Sequence, residues 1–186
     1  RMRYLEASPP ATLRPRGTLV LIHAFPLNAR MWEPQFVLAA HGWRVIAPHL
    51  RGFDGGVADP PGSTFDEYAG DVVDLLDALH IEDAVIGGLS MGGYVTFAIL
   101  RHAPRYVRGL ILADTRPQAD TPEGAEGRKG MLQLLEEKGP SAFVDFIHAC
   151  RSLSLVRRAE IASNSFRISA FNPGALKLWR RPKCSS

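Results

Sequence analysis

The stretch that most constrains this chain is Ala84-Val85-Ile86-Gly87-Gly88-Leu89-Ser90-Met91-Gly92-Gly93-Tyr94, an apolar run that ends in glycines flanking one serine. The β-branched Val85 and Ile86 predict a strand. Tyr94, Val95, Phe97, Ala98 and Leu100 predict an apolar helix that stops before Pro104. Ser90 therefore falls at a sharp strand-to-helix turn, where there is little room for a Cβ two positions before or after it, hence Gly88 and Gly92. A dinucleotide-binding loop would need glycine where Ser90 stands, and a P-loop would need a Gly-Lys-Ser/Thr run that is absent. A structural turn serine without chemistry is the plain alternative.

The flanking segments give this turn a setting. Residues 1 to 16 have room for one short strand and a Pro/Arg linker. Thr18-Leu19-Val20-Leu21-Ile22 is a continuous apolar run, as in a parallel strand buried on both faces, and it leads into His23-Ala24-Phe25-Pro26-Leu27-Asn28. Met31, Trp32, Phe36, Val37 and Leu38 predict a short helix with Pro34 in its first turn, closed by His41-Gly42. Trp43 to Ala47 follows as a strand. A helix capped by Ser63 or Thr64, with Glu67 completing a capping box, then places Tyr68, Val72, Leu75, Leu76 and Leu79 on one face. Asp71, Asp74 and Asp77 are expected on its solvated surface. Val107 to Ala113 is another buried strand, ending in Asp114-Thr115-Arg116. Strands alternating with helices predict an α/β fold: a doubly wound, mostly parallel sheet with helices on both faces and ligands at the carboxyl ends of the strands. His23, Arg51, Ser90 and Asp114 all fall at that end.

Composition narrows the function classes. The 186 residues have room for one core but not for two full domains. We expect a core over 1–117, the start of a lid over 118–150 and an atypical tail over 151–186. Residues 1–150 carry 14 Lys+Arg against 18 Asp+Glu, whereas 151–186 carry 8 against 1 and hold 7 of the serines. The basic character belongs to the tail, which has no recognisable nucleic-acid-binding motif. Such a break is expected of a segment translated in another frame, or of a basic lid helix cut short. No run of eighteen apolar residues and no leader pattern is present, so a cytoplasmic chain is expected, with no membrane partner. Cys150 and Cys184 have neither the number nor the spacing of a disulfide framework or a zinc site.

The Gly88-x-Ser90-x-Gly92 turn in its strand and helix, together with the loop beginning His23-Ala24-Phe25, resembles the α/β-hydrolase superfamily, in particular its small esterases and enol-lactonases, over residues 17 to about 125. Pro48-His49-Leu50-Arg51-Gly52-Phe53-Asp54 is similar to the family's Pro-Asp-Leu-Arg-Gly-x-Gly loop, with His49 and Asp54 as departures. The resemblance implies that Ser90 is the nucleophile and that the N–H groups of Phe25 and Met91 form the oxyanion hole. His23, Ala24, Arg51 and Leu89 would line the site. It implies a small ester, lactone or thioester as substrate, cleaved through an acyl-serine, with no cofactor and no metal. The family takes its acid and histidine from segments after the lid; here Asp114 is the candidate acid. His102, at about 18 Å along the elbow helix, is too far to be the base, and His148 lacks the family's Gly-His context. The expectation is thus the first half of a serine hydrolase. A catalytically incomplete binding module is the alternative, and an unpaired sheet edge would favour self-association.

Overall fold

A computed structural model describes residues 2–55, 63–153 and 177–180. The chain divides after Pro117 into two compact units. The first holds a six-stranded sheet made of β1 (Tyr4–Ala7), β2 (Gly17–Ile22), β3 (Trp43–Pro48), β4 (Ala84–Leu89), β5 (Val107–Ala113) and β6 (Lys177–Arg180), in the order β1-β3-β2-β4-β5-β6. The four central strands run parallel, with Leu19 opposite Val45 and Val85, and Ile86 opposite Leu110. β1 and β6 flank them antiparallel. The mostly parallel sheet expected from the strand and helix order is therefore present. β6 pairs with β5 from Gly109 to Leu112, so the edge strands of this open sheet are β1 and β6 rather than β5. Of the basic tail, only 151–153 and these four residues lie within the described chain.

Side-chain alternation along the strands sends two apolar sets to opposite faces. Val20, Ile22, Ile46, Ile86 and Leu110 form the larger core with α1 (Phe65–Ala78) and α2 (Met91–His102), which supply Val72, Leu76, Val95 and Ile99. Fully burying each such side chain contributes roughly 1.5–3 kcal/mol, which makes this face the main source of stability. On the other face Leu19, Leu21 and Val45 pack with Trp32, Phe36 and Leu38 of a 3₁₀ helix, Ala29–His41. Pro34 falls inside that helix rather than in its first turn, because Asn28 starts it by accepting from the Arg30 N–H at 3.0 Å.

The predicted cap of α1 is present. The Thr64 side chain accepts from the Glu67 N–H at 3.3 Å, and Glu67 accepts from the Thr64 N–H at 2.7 Å. The aspartates behind it are not simply solvated. Asp71 is paired with Arg51, and Asp77 accepts a hydrogen bond from the Tyr106 hydroxyl, so both tie α1 to neighbouring segments. The second unit holds α3, helical over Pro122–Leu153 and broken at Gly139, where φ is 75°. Among the described residues no helix is long and apolar enough to cross a membrane.

The cap and the helix surface give two substitutions of opposite sign. Thr64→Ala removes the bond that the Thr64 hydroxyl accepts from the Glu67 N–H, leaves the Thr64 N–H able to reach Glu67, and should cost about 1 kcal/mol. Gly70, exposed within α1 with open space around its Cα, should gain up to about 1 kcal/mol as Gly70→Ala. Urea unfolding midpoints check both, and equal midpoints for the two variants would contradict the account.

Candidate active site

Ser90 holds a backbone conformation of φ 50° and ψ −110°, which a residue with a Cβ rarely adopts and which costs on the order of 1–3 kcal/mol. Three hydrogen bonds hold it there. Its N–H donates to the Ala113 carbonyl at 2.9 Å, while its own carbonyl accepts from the Gly93 N–H at 2.9 Å and from the Thr115 hydroxyl at 3.0 Å. The flanking glycines are required by close approach. A Cβ on Gly88 would lie 2.1 Å from the Gly92 carbonyl oxygen, and one on Gly92 would lie 2.2 Å from that of Ile22 and 2.8 Å from that of His23. The end of β2 and the first turn of α2 are thus in backbone contact, which brings the loop after β2 to the serine. Ser90 is half-exposed, and α2 starts directly after it at Met91, where the helix dipole favours negative charge.

His23 is completely buried and joins two loops. Its Nε2 accepts from the Leu50 N–H at 3.1 Å, so the ring proton is on Nδ1, which donates to the Ala24 carbonyl at 3.1 Å. Burial pushes the imidazole down to about 4, and the neighbouring His49 adds to the shift. The ring is therefore neutral at pH 7, as the acceptor role of Nε2 demands. Phe53 stands edge-on to His23, with centroids 5.2 Å apart, and edge-on to Phe25 at 5.9 Å. The Ala24 N–H donates to the Met31 sulfur at 3.3 Å. These contacts fix the turn that carries Phe25. Sequence reasoning missed Phe53, Met31 and Thr115; Phe53 and Thr115 act on partners distant in the chain, and Met31 on Ala24 seven residues before it.

Arg51 and His49 lie on the loop after β3. The Arg51 guanidinium is engaged with Asp71 of α1 and borders a cavity of about 380 Å³ with Met2, Arg3, His49 and Asp54; Ser90, Phe25 and Met91 do not line it. Arg51 thus anchors the loop after β3 to α1. His49 borders the same cavity with its Nδ1 buried and without a hydrogen-bond partner, and burial pushes it down as well. Asp114 lies one residue beyond Ala113 with an exposed side chain and φ 45°. Leu89 ends β4 half-buried beside the serine, and Ala24 is buried under its own loop. His102, at the end of α2, bonds Arg101 and pairs with Asp66. Of the six histidines, only His148 has a side chain outside the described set, and none of the other five hydrogen-bonds Ser90. Among the described residues no cluster of His, Cys, Asp or Glu is arranged to hold a metal ion.

Comparison with known proteins places this arrangement. A family model described as alpha/beta hydrolase fold matches residues 17–139. The chain is 38% identical over 109 residues to a non-heme chloroperoxidase of Streptomyces lividans, covering 55% of this chain and 39% of that protein. It is 30% identical over 125 residues to 3-oxoadipate enol-lactonase 2 of Acinetobacter baylyi, covering 67% and 45%. In three dimensions it is similar to a thermophilic esterase from Thermogutta terrifontis, with a TM-score of 0.69 and 33% identity, over 78% of this chain and 52% of that one. The chain spans about half the length of the relatives it matches.

Two outcomes follow from the site's packing. Gly92→Ala forces β2 and α2 apart and should destabilise the fold by more than about 3 kcal/mol, seen as loss of the cooperative urea transition or as insoluble protein. The His23 imidazole takes up its proton near 6.5 when unfolded but only near 4 in the fold. Stability should therefore be full above pH 6.5 and fall as pH drops towards 4, by roughly 3 kcal/mol if His23 acts alone. His49 adds in the same direction. A His23→Gln variant should show a flatter urea midpoint between pH 7 and 4, and an unchanged slope would refute this role.

Proposed function

The chain belongs to the α/β-hydrolase fold family, and from that premise we propose that Ser90 is the nucleophile of a hydrolase for small carboxylic esters, lactones or thioesters. The observation that carries this reading is the strained backbone of Ser90 at the tip between β4 and α2, held by three hydrogen bonds and admitted by Gly88 and Gly92. Strain of this kind persists only where the surroundings enforce it, and it projects the hydroxyl clear of the sheet.

In the reaction, Ser90 Oγ attacks the substrate carbonyl and the resulting oxyanion accepts from the N–H groups of Met91 and Phe25. The positive end of α2 faces the same charge. Fixed donors of this type contribute most when they are aligned before the reaction, and here His23, Phe53 and Met31 supply that alignment for the Phe25 loop. Collapse of the tetrahedral intermediate expels the alcohol and leaves an acyl-serine, which water hydrolyses. The Ser90 proton needs a base, and no described histidine reaches it. His148 is the one histidine of this chain left to test. Asp114, one residue past the carbonyl that holds the Ser90 N–H, stays the candidate acid.

The test is hydrolysis of p-nitrophenyl acetate by the purified chain, with a fluorophosphonate label as a second readout and Ser90→Ala as control. Turnover should fall by a factor on the order of 10³ or more in Ser90→Ala, and labelling should vanish. A folded chain that shows neither in the native sequence would support the alternative, a module that keeps the fold without the chemistry.

A further inference from the structure

Resting on Ser90 as the reactive residue, we infer that its site takes a neutral, apolar acyl or alkyl group and discriminates against substrates carrying a carboxylate. The apolar half of this selection comes from two aromatic pairs at the carboxyl end of the sheet. Phe25, on the loop after β2, is 44% exposed and meets Phe53, on the loop after β3, edge to face. Phe65, the first residue of α1, is 42% exposed and stacks at 5.2 Å, tilted by 48°, with Tyr94 in the first turn of α2. Leu27 adds a further exposed side chain on the Phe25 loop. Because β2, β3 and β4 run parallel, the loops after β2 and β3, the starts of α1 and α2, and Ser90 all stand at one end of the sheet. Scattered apolar residues on a surface are ordinary, whereas a set gathered at the end that carries the strained serine is the composition of a binding site.

The charge half comes from the charged groups at the same end of the sheet. Asp114 presents an exposed carboxylate at the end of β5, the strand whose Ala113 carbonyl holds the Ser90 N–H. The cations of the loops at this end are committed elsewhere: Arg51 to Asp71, Arg3 to Asp54 and Arg30 to Glu33. Arg116 is also engaged, and the sequence holds no lysine before Lys129. His23 and His49, both shifted down by burial, are neutral at pH 7. Among the described loops at this end of the sheet, a substrate carboxylate would thus meet a like charge and cations that already have partners, and would give up water for aromatic surface.

Two measurements decide the point, one of which does not need catalysis. For turnover, p-nitrophenyl butyrate is compared with mono-p-nitrophenyl succinate, which has the same four-carbon acyl chain ending in a carboxylate. The butyrate should be favoured in kcat/KM by about 10-fold at low salt, and less in 1 M NaCl. For binding, Ser90→Ala is titrated with butyramide and with succinamate and followed by NMR shifts. Butyramide should bind more tightly and move the Phe25, Phe65 and Tyr94 signals. Adding Asp114→Asn to that background should tighten succinamate by about 3-fold. Phe25→Ala and Phe65→Ala should each weaken butyramide by a similar factor. Succinamate binding as tightly as butyramide, or butyramide binding indifferent to both aromatic substitutions, would overturn the inference. If neither ester is hydrolysed in a Ser90-dependent way but the binding order holds, the nucleophile assignment fails and the selectivity of the site stands.

Discussion

Helix α2 begins hard against the last carbonyls of β2, and everything at the candidate site depends on that contact. Gly92 has to lack a Cβ for the carbonyl oxygens of Ile22 and His23 to approach, and Gly88 has to lack one for Gly92. Once the backbones are this close, Ser90 has no relaxed conformation available. It is left at φ 50° with its N–H and carbonyl bonded to Ala113, Gly93 and Thr115. Three net hydrogen-bond contributions of about 1 kcal/mol each are of the size needed to offset the strain of one such residue. The serine is therefore presented by the rigid part of the fold, between two parallel strands buried on both faces.

The loop opposite the serine is held by different means, and neutrality is the common theme. His23 can receive the Leu50 N–H only while its Nε2 is unprotonated, and burial ensures that it is. Phe53 then bridges from His23 to Phe25 through edge contacts, so the loops after β2 and β3 are fastened to each other by one uncharged ring and one aromatic. Charge is kept one layer away. Arg51 and Asp71 pair between the β3 loop and α1, and Asp77 receives the Tyr106 hydroxyl at the other end of α1. The result is an end of the sheet whose loops are tied down by paired charges, with Phe25, Phe65 and Asp114 exposed there.

Much of this was legible in the chain. Continuous apolar runs identify β2 to β5, the Thr64 to Glu67 spacing identifies the start of α1, and the Gly88-Ser90-Gly92 spacing identifies the turn, because each of these signals is local. Arg51 makes a contact of the opposite kind. Its position in the loop is local information, but the direction of its side chain is set by Asp71, twenty residues away on a helix whose orientation only packing defines. Phe53 and Thr115 give no sequence signal, since each acts on a partner more than twenty residues away.

The edge of the sheet shows the same division. The strand run Val107 to Ala113 says that β5 exists, yet nothing in it says what pairs with its outer side; Lys177 to Arg180 does so through main-chain groups that any sequence possesses. By itself, then, the sequence determined the alternation of strands and helices, the strained turn and the serine upon it, because those follow from side-chain periodicity and from where a Cβ fits. Only the tertiary structure decided which side chains meet at that turn, which charges cancel one another and which strand pairs with β5. Those outcomes depend on the three-dimensional approach of distant segments, for which the spacing of residues along the chain carries no code.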